Sequence, residues 1–401
     1  MARGLFFLDS KNDSIGYEIH QMHRNAIYVL TISVAGLIAL GLVMLFSTSA
    51  FAQESHSNMY LFVKRQGMWL IVGLVFAVAV CFVDYHFWVR YWWAFFGAAA
   101  FLLVLCFIPP IGLRINGSSR WISLGFGVVQ PSELAKVASI FFLAWWFSRK
   151  NINFSSFKTG LAYPLGILSV LMGLIALEVD IGNAALIGGT AVAILFIAGA
   201  ALRWLGILIC GGLGTIFLIG MNVSERQGRI LAFMNPEKYK LGEGLQQWQA
   251  LIAFGSGGVE GLGLGEGRQK MLYLPYAHTD FIFPMIGEEL GLYATLLTVL
   301  AYLLICLCGS LVASNAKDDT GRLLGIGAVT LITLQACVNI GVTTSLLPNK
   351  GMPLPFISYG GSNLVVCLFL IGLLVNIHRQ GRPLISHFAP ALTRPHFEPR
   401  I

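Results

Sequence analysis

Charge is scarce in this sequence: 11% of its 401 residues are Asp, Glu, Lys or Arg, against 56% that are hydrophobic. Soluble domains carry about 25% charged residues. A chain this poor in charge does not hide its apolar surface from water, which excludes a water-soluble globular enzyme. The same imbalance excludes a disordered chain, whose signature is low hydrophobicity. Basic runs are lacking as well. The formal net charge is +7, but Lys and Arg sit scattered between apolar segments, as topology signals and anionic-lipid contacts do. No nucleic-acid partner is expected. A disulfide framework is lacking: the seven cysteines are odd in number and fall inside apolar segments, with no metal-ligand spacing in a polar loop. They read as small buried hydrophobes. There is no H-E-x-x-H, no G-x-S-x-G and no P-loop, so proteases, serine hydrolases and NTPases find no support. The first 25 residues are polar and the apolar run after them is longer than a signal-peptide core, so no cleavable signal is expected.

What is present is long apolar sequence. A membrane helix needs about 20 mostly apolar residues. Ten segments qualify: 26–50, 66–83, 91–108, 132–147, 161–177, 184–202, 204–221, 281–310, 321–341 and 361–377. The reading is an all-α polytopic membrane protein with ten transmembrane helices. Lys and Arg concentrate in alternate loops, which places both termini in the cytoplasm. The chain divides into a cytoplasmic segment 1–25, a membrane domain 26–378 and a basic, Pro-rich cytoplasmic tail 379–401. Outside lie 109–131, a large extracytoplasmic loop 222–280 between helices 7 and 8, and 342–360. The stretch 244–254 is expected to form an amphipathic helix on the membrane surface.

The outer segments hold the residues suited to chemistry. Asp280 stands where the 222–280 loop meets the eighth helix. Apolar surroundings raise a carboxylate's pKa and suit it to act as a general base; equally, Asp at a helix start is a capping residue. Glu288 and Glu289, two turns deeper, read as structural hydrogen-bond groups. Lys350 is a lone cation in a Pro-rich outer loop, placed to hold a phosphate or to snorkel to headgroups. Arg114 and Arg120 suit an anionic headgroup; Trp121 suits a sugar face or the interfacial aromatic belt. Glu133 and Lys136 share a helix face and suit a structural pair. Glu178 and Asp180 form a carboxylate pair in a short turn, which reads as a capped turn ahead of a cation site. Arg226, Arg229, Lys238, Lys240, Arg268 and Lys270 add basic groups, giving a positive rim that fits an isoprenoid diphosphate.

Three motifs, NGSSRWISLGFGVVQPSELAK, LIAFGSGGVEGLGLGEGRQKMLYLPYAHTDFIFPMIGEELG and NKGMPLPFISYGGSN, occur in order. With them the chain resembles the SEDS family (shape, elongation, division and sporulation) of bacterial peptidoglycan polymerases over about residues 26–380. The stretch GLGEGRQKMLYLPYAHTDFIFPMIGEELG resembles the division branch rather than the elongation branch. The resemblance implies a ten-helix fold and glycosyl transfer on lipid II outside the cytoplasmic (inner) membrane, at the division septum. It implies Asp280 as general base in the H-T-D motif and Lys350 as substrate-binding. Arg120, Trp121, Arg114, Arg229, Arg268, Lys270, His278 and Ser358 complete the expected substrate-binding set. Undecaprenyl diphosphate is the implied leaving group. A divalent cation, Mg²⁺ or Mn²⁺, is implied with ligands unknown.

The implied partners are a class B penicillin-binding transpeptidase, the undecaprenyl-diphosphate-linked glycan and other division membrane proteins. A lipid II flippase and an elongation polymerase are the alternatives. The sequence departs from the family pattern at Leu272 and Tyr276, where acidic residues are common, and at Val179, Asn183 and Asn363, which replace Pro, Thr and Ser.

Overall fold

The computed structural model describes residues 3–49 and 60–381, apart from 110, 116, 117, 124, 126, 150, 151, 153, 155, 223 and 272. Leu272 and nearly all of the expected tail lie outside the described residues. The chain runs α1 (Arg3–Ser49), α2 (Leu61–Phe82), α3 (Tyr85–Arg90), α4 (Trp92–Leu105), β1 (Gly112–Ile115), β2 (Ser118–Ser123), β3 (Val128–Val129) and α5 (Pro131–Phe147). A π-turn, Lys158–Ala162, then leads into α6 (Tyr163–Leu177). There follow α7 (Ile181–Ala198), α8 (Leu202–Asn222), α9 (Ser224–Met234), α10 (Leu245–Gly257), α11 (Ile282–Ser314), α12 (Asp319–Thr343) and α13 (Gly361–Gln380).

Each of the ten expected apolar segments falls on one of these helices. Among the described residues seven are long and apolar enough to cross a membrane: Arg24–Ser49, Leu61–Phe82, Lys158–Leu177, Ile181–Ala198, Ile282–Ser314, Asp319–Thr343 and Gly361–Gln380. Trp92–Leu105 and Leu202–Thr215 are shorter apolar helices. α5 has 17 residues and carries Glu133 and Lys136. Large apolar side chains face outward along the bundle, with Ile71, Val75, Phe82, Leu296, Leu297 and Leu303 all more than half exposed. In water such a belt would be costly; in a bilayer it meets lipid. The chain is a multi-pass membrane protein.

The core has α5 and α12 at its centre, both buried along most of their length. Helix ends are set by local chemistry. Pro131 occupies the first turn of α5, where its missing N–H costs nothing. Asp180 caps α7 and Asp318 caps α12 through side-chain acceptance of backbone N–H groups.

Three features refine the sequence reading. The fold is not purely helical: β1, β2 and β3 form a small antiparallel sheet in the 109–131 loop. α10 forms over the expected amphipathic stretch, with Leu251 and Ile252 exposed on one face and the other face packed into the bundle. Its Gln247 is fully buried and donates to the carbonyls of Val342 and Leu347, and Gly257 packs directly on the backbone of Gly287. α11 is broken at Gly291, whose φ of 75° is a glycine conformation. A Cβ there would collide with the carbonyl of Val259, so the glycine-rich loop wraps tightly around the start of α11.

Candidate functional site

Asp280 ends the tight turn that begins at Tyr276. The backbone N–H groups of Thr279 and Phe281 both return to the Tyr276 carbonyl, and Tyr276 takes a φ of 59°. Its last three residues are pinned, two to the segment before α13 and one to α12. Tyr359 N–H donates to His278 O, Ser358 Oγ donates to Thr279 O, and Asn339 Nδ2 of α12 donates to Asp280 O at 2.8 Å. Asn339 also reaches Met352 O, and Gln335 Nε2, one turn earlier, reaches Pro353 O. Tyr302 of α11 donates to Pro355 O, and Gln66 of α2 donates to Ser358 O. Buried amides and hydroxyls on three membrane helices thus satisfy the backbone of an irregular segment, which makes such a segment tolerable at this depth.

The chain approaches Asp280 closely at Gly351, where a Cβ would collide with Oδ2. Lys350 lies beside it, its stem crossing Gly182 and its Nζ 3.7 Å from Asp180 Oδ1. Asp180 also accepts from Gln130 Nε2 at 3.2 Å and from Asn183 Nδ2 at 2.8 Å. Arg120 of β2 docks on the same turn, with Nη2 2.8 Å from Val179 O and Nε 3.4 Å from Glu178 O. Burial is the largest influence on Asp280 and pushes its pKa up; Lys350 and Arg120 pull it down, Asp180 pushes it up, and the balance is about 6. Asp280 is partly accessible. A carboxylate in this state is ionised near neutral pH, basic enough to take a proton, and flanked by two cations.

The remaining expected residues divide into groups. Trp121 is half-buried opposite Leu113 in the β1–β2 ladder, and Arg114 is exposed on β1. His278 stacks on Phe62 with ring centroids 4.5 Å apart. Ser358 is buried and ties two loop segments, accepting from Leu354 N–H and donating to Thr279 O. Arg229 is half-buried and pairs with Glu243 at 3.4 Å.

Lys270, expected at phosphate, is buried in an ion pair instead, while Arg268 is exposed. Lys270 Nζ is buried against Glu289 Oε1 at 2.7 Å, Ser47 Oγ at 2.8 Å and Gly265 O at 2.6 Å. Arg268 is fixed through its backbone N–H, which Glu288 accepts together with that of Gln269. Glu288 and Glu289 therefore anchor the glycine-rich loop on α11. Glu133 and Lys136 form a buried pair at 2.7 Å, completed by Gln335 and Asn363.

The sequence reading missed Asn339, Gln335, Gln66 and Ser47. Their signal was available: polar side chains within apolar helices are costly unless they serve a partner. Two departures from the family pattern have structural partners. Asn183 donates to Ser132 and Asp180, and Asn363 donates to Glu133. Val179 has a φ of 65°, a conformation closed to the usual Pro.

Asp180 is the acidic group most engaged by neighbours at the site, and among the described residues no group of three or more His, Cys, Asp or Glu is placed to hold a metal ion. No step below runs through a metal ion.

The fold and site define a class: a multi-pass membrane protein with an acid flanked by cations, held in a loop cap over the helix bundle. The model of the FtsW, RodA and SpoVE family, described as cell cycle protein, matches residues 28–383. The chain is 41% identical over 361 residues to the probable peptidoglycan glycosyltransferase FtsW of Geobacter metallireducens, covering 90% of this chain and 96% of that one. It is 37% identical over 355 residues to stage V sporulation protein E of Bacillus subtilis, covering 88% and 97%.

Among solved structures it resembles a chain of a peptidoglycan synthase complex that coordinates polymerization and crosslinking. There the TM-score is 0.71 and the identity 26%, over 88% of this chain and 97% of that chain. The Thermus thermophilus rod shape determining protein RodA gives 0.66 and 26%, over 88% and 96%. The chain belongs to the FtsW/RodA/SpoVE family, the SEDS proteins.

Proposed function

We propose that this chain is a peptidoglycan glycosyltransferase that polymerises lipid II on the outer face of the cytoplasmic membrane, at the division septum. The observation that carries the reading is Asp280: partly accessible, with a pKa near 6, and within electrostatic reach of Lys350 and Arg120. The acceptor's 4-hydroxyl attacks the anomeric carbon of the growing chain. Asp280 takes the hydroxyl proton as the new C–O bond forms. The old C–O bond breaks with its electron pair on undecaprenyl diphosphate, and the configuration inverts to β-1,4. Lys350 and Arg120 stabilise the charge that develops on the diphosphate.

Ten spans with both termini cytoplasmic follow from the Lys and Arg distribution, and this topology puts Asp280 outside. The relatives at 41% identity named FtsW support the division branch over elongation. The likeness to a chain of a synthase complex supports a class B transpeptidase as partner.

The test is lipid II polymerisation by the full-length protein with its cognate transpeptidase and Mg²⁺ or Mn²⁺. Asp280→Asn is expected to lower the rate by about 10²–10⁴-fold, the typical contribution of a general base. Equal activity in folded Asp280→Asn would remove Asp280 as base. Inactivity of the wild type in this assay favours the flippase reading.

A further inference from the structure

One buried acid beside the site has no part in the transfer chemistry just described. Glu178 stands at the C-cap of α6 and is 1% exposed. Among the described residues neither of its carboxyl oxygens meets an N–H or O–H donor, and the group beside it is the Cys106 thiol, a weak donor. A carboxylate in that position has only a weak thiol donor to replace its lost hydration, so the neutral acid is the stable form. The groups facing it are the Cys106 thiol from the end of α4, Asp180 at the start of α7 and Arg120 from β2. Asp180 disfavours a second anion and Arg120 favours one. Burial, with Asp180, outweighs the Cys106 thiol and Arg120 and pushes the pKa up to about 8.

The backbone around this acid seats both cations of the site. The carbonyls of Glu178 and Val179 receive Arg120. Asp180, the next residue, faces Lys350. Between them Val179 is β-branched at a φ of 65°, a strained conformation that persists only when its surroundings enforce it. The protonation of one side chain and the seats of two cations therefore share a three-residue turn.

We propose that Glu178 is a positioning residue of the transfer site: its uncharged carboxyl keeps the turn closed beneath Arg120 and Asp180, and its ionisation opens the turn to water and unseats both cations. The proton leaves to solvent. This inference rests on the polymerase reading above and adds to it a ceiling on the pH at which the site stays assembled.

The experiment is the pH dependence of lipid II polymerisation by the full-length protein with its partner, with kcat and KM separated. In the wild type kcat/KM falls above about pH 8, with kcat falling, because the lost groups stabilise the charge that develops on the diphosphate. Glu178→Gln, neutral and of the same size, keeps the neutral-pH value within about twofold and loses the alkaline fall up to about pH 9. An alkaline fall at the same pH in Glu178→Gln overturns the proposal. So does a folded Glu178→Gln that is inactive at neutral pH.

A second measurement needs no variant to fold. Infrared titration of the wild type is expected to show a protonated-carboxyl band that disappears between about pH 7 and 9, well above the titration of Asp280. Absence of that band overturns the proposal. Because the band is read without turnover, a wild type that shows it yet forms no glycan counts against the polymerase reading instead.

Discussion

The Nζ of Lys350 lies 3.7 Å from Oδ1 of Asp180, the residue that caps α7. The lysine is thereby oriented by an acid three residues beyond the end of α6, while its chain neighbour Gly351 packs on Asp280. A cation, its orienting acid and the base come from three separate stretches of sequence.

The two neighbours of the base shift it in opposite directions. The base works when deprotonated, so kcat/KM should fall below about pH 6 in the wild type. Lys350 holds the Asp280 pKa down and Asp180 holds it up. Lys350→Met should move the acidic limb to higher pH, and Asp180→Asn should move it to lower pH. Both limbs are read from kcat/KM profiles, and a shift of the same sign in both would refute this electrostatic account.

Gly351→Ala tests the close approach to the base. Its Cβ has no room beside Asp280 Oδ2, so the carboxylate or the loop must move. A displacement of about 1 Å at a reacting group costs about 10²-fold in rate. The expected result is a drop in kcat of that order with thermal stability close to wild type. Full activity in Gly351→Ala would show that Asp280 has freedom the structure does not give it.

Lys270 and Glu289 are fully buried partners that lock the glycine-rich loop to α11. Removing one leaves a buried charge without its partner, at a cost of about 3–5 kcal/mol. Lys270→Met and Glu289→Leu should each lower the melting temperature markedly in detergent. The double substitution should be less damaging than the sum, and additive losses would argue against a direct pair.

At the opposite end of the bundle, His86 bridges Asp84 at 2.7 Å and Asp318 at 2.6 Å. Both ring nitrogens face carboxylate oxygens. Burial opposes protonation, but the two hydrogen-bonded acids prevail and raise the pKa. A raised folded-state pKa gives stability that is present below the unfolded value of about 6.5 and is lost as pH rises through the folded value. The histidine and Asp84 are both about half exposed, so the effect is modest after solvent screening. Melting temperature should decline with rising pH across that window in the wild type, and the decline should flatten in His86→Gln.

Much of the architecture was legible because a membrane imposes length and composition on each span. The ten apolar segments fall on helices for that reason. The hairpin in the 109–131 loop was missed although Asn116-Gly117 stands between its strands, a turn signal that the dominant helical periodicity overshadowed. α10 was legible from its amphipathic pattern, but the partners of its buried face, such as the Val342 and Leu347 carbonyls that accept from Gln247, depend on the packed bundle.

By itself the sequence determined the class of protein, the helical segments and the short set of outer acids and bases, since each depends on composition and local spacing. Tertiary structure decided which of those charges meet. It turned Lys270 inward to Glu289, set Lys350 against Asp180 and laid Arg120 on the carbonyls of Glu178 and Val179. A charge's partner depends on distance across the fold, and residues 230 or more positions apart, such as Asn363 and Glu133, become neighbours only when the helices pack.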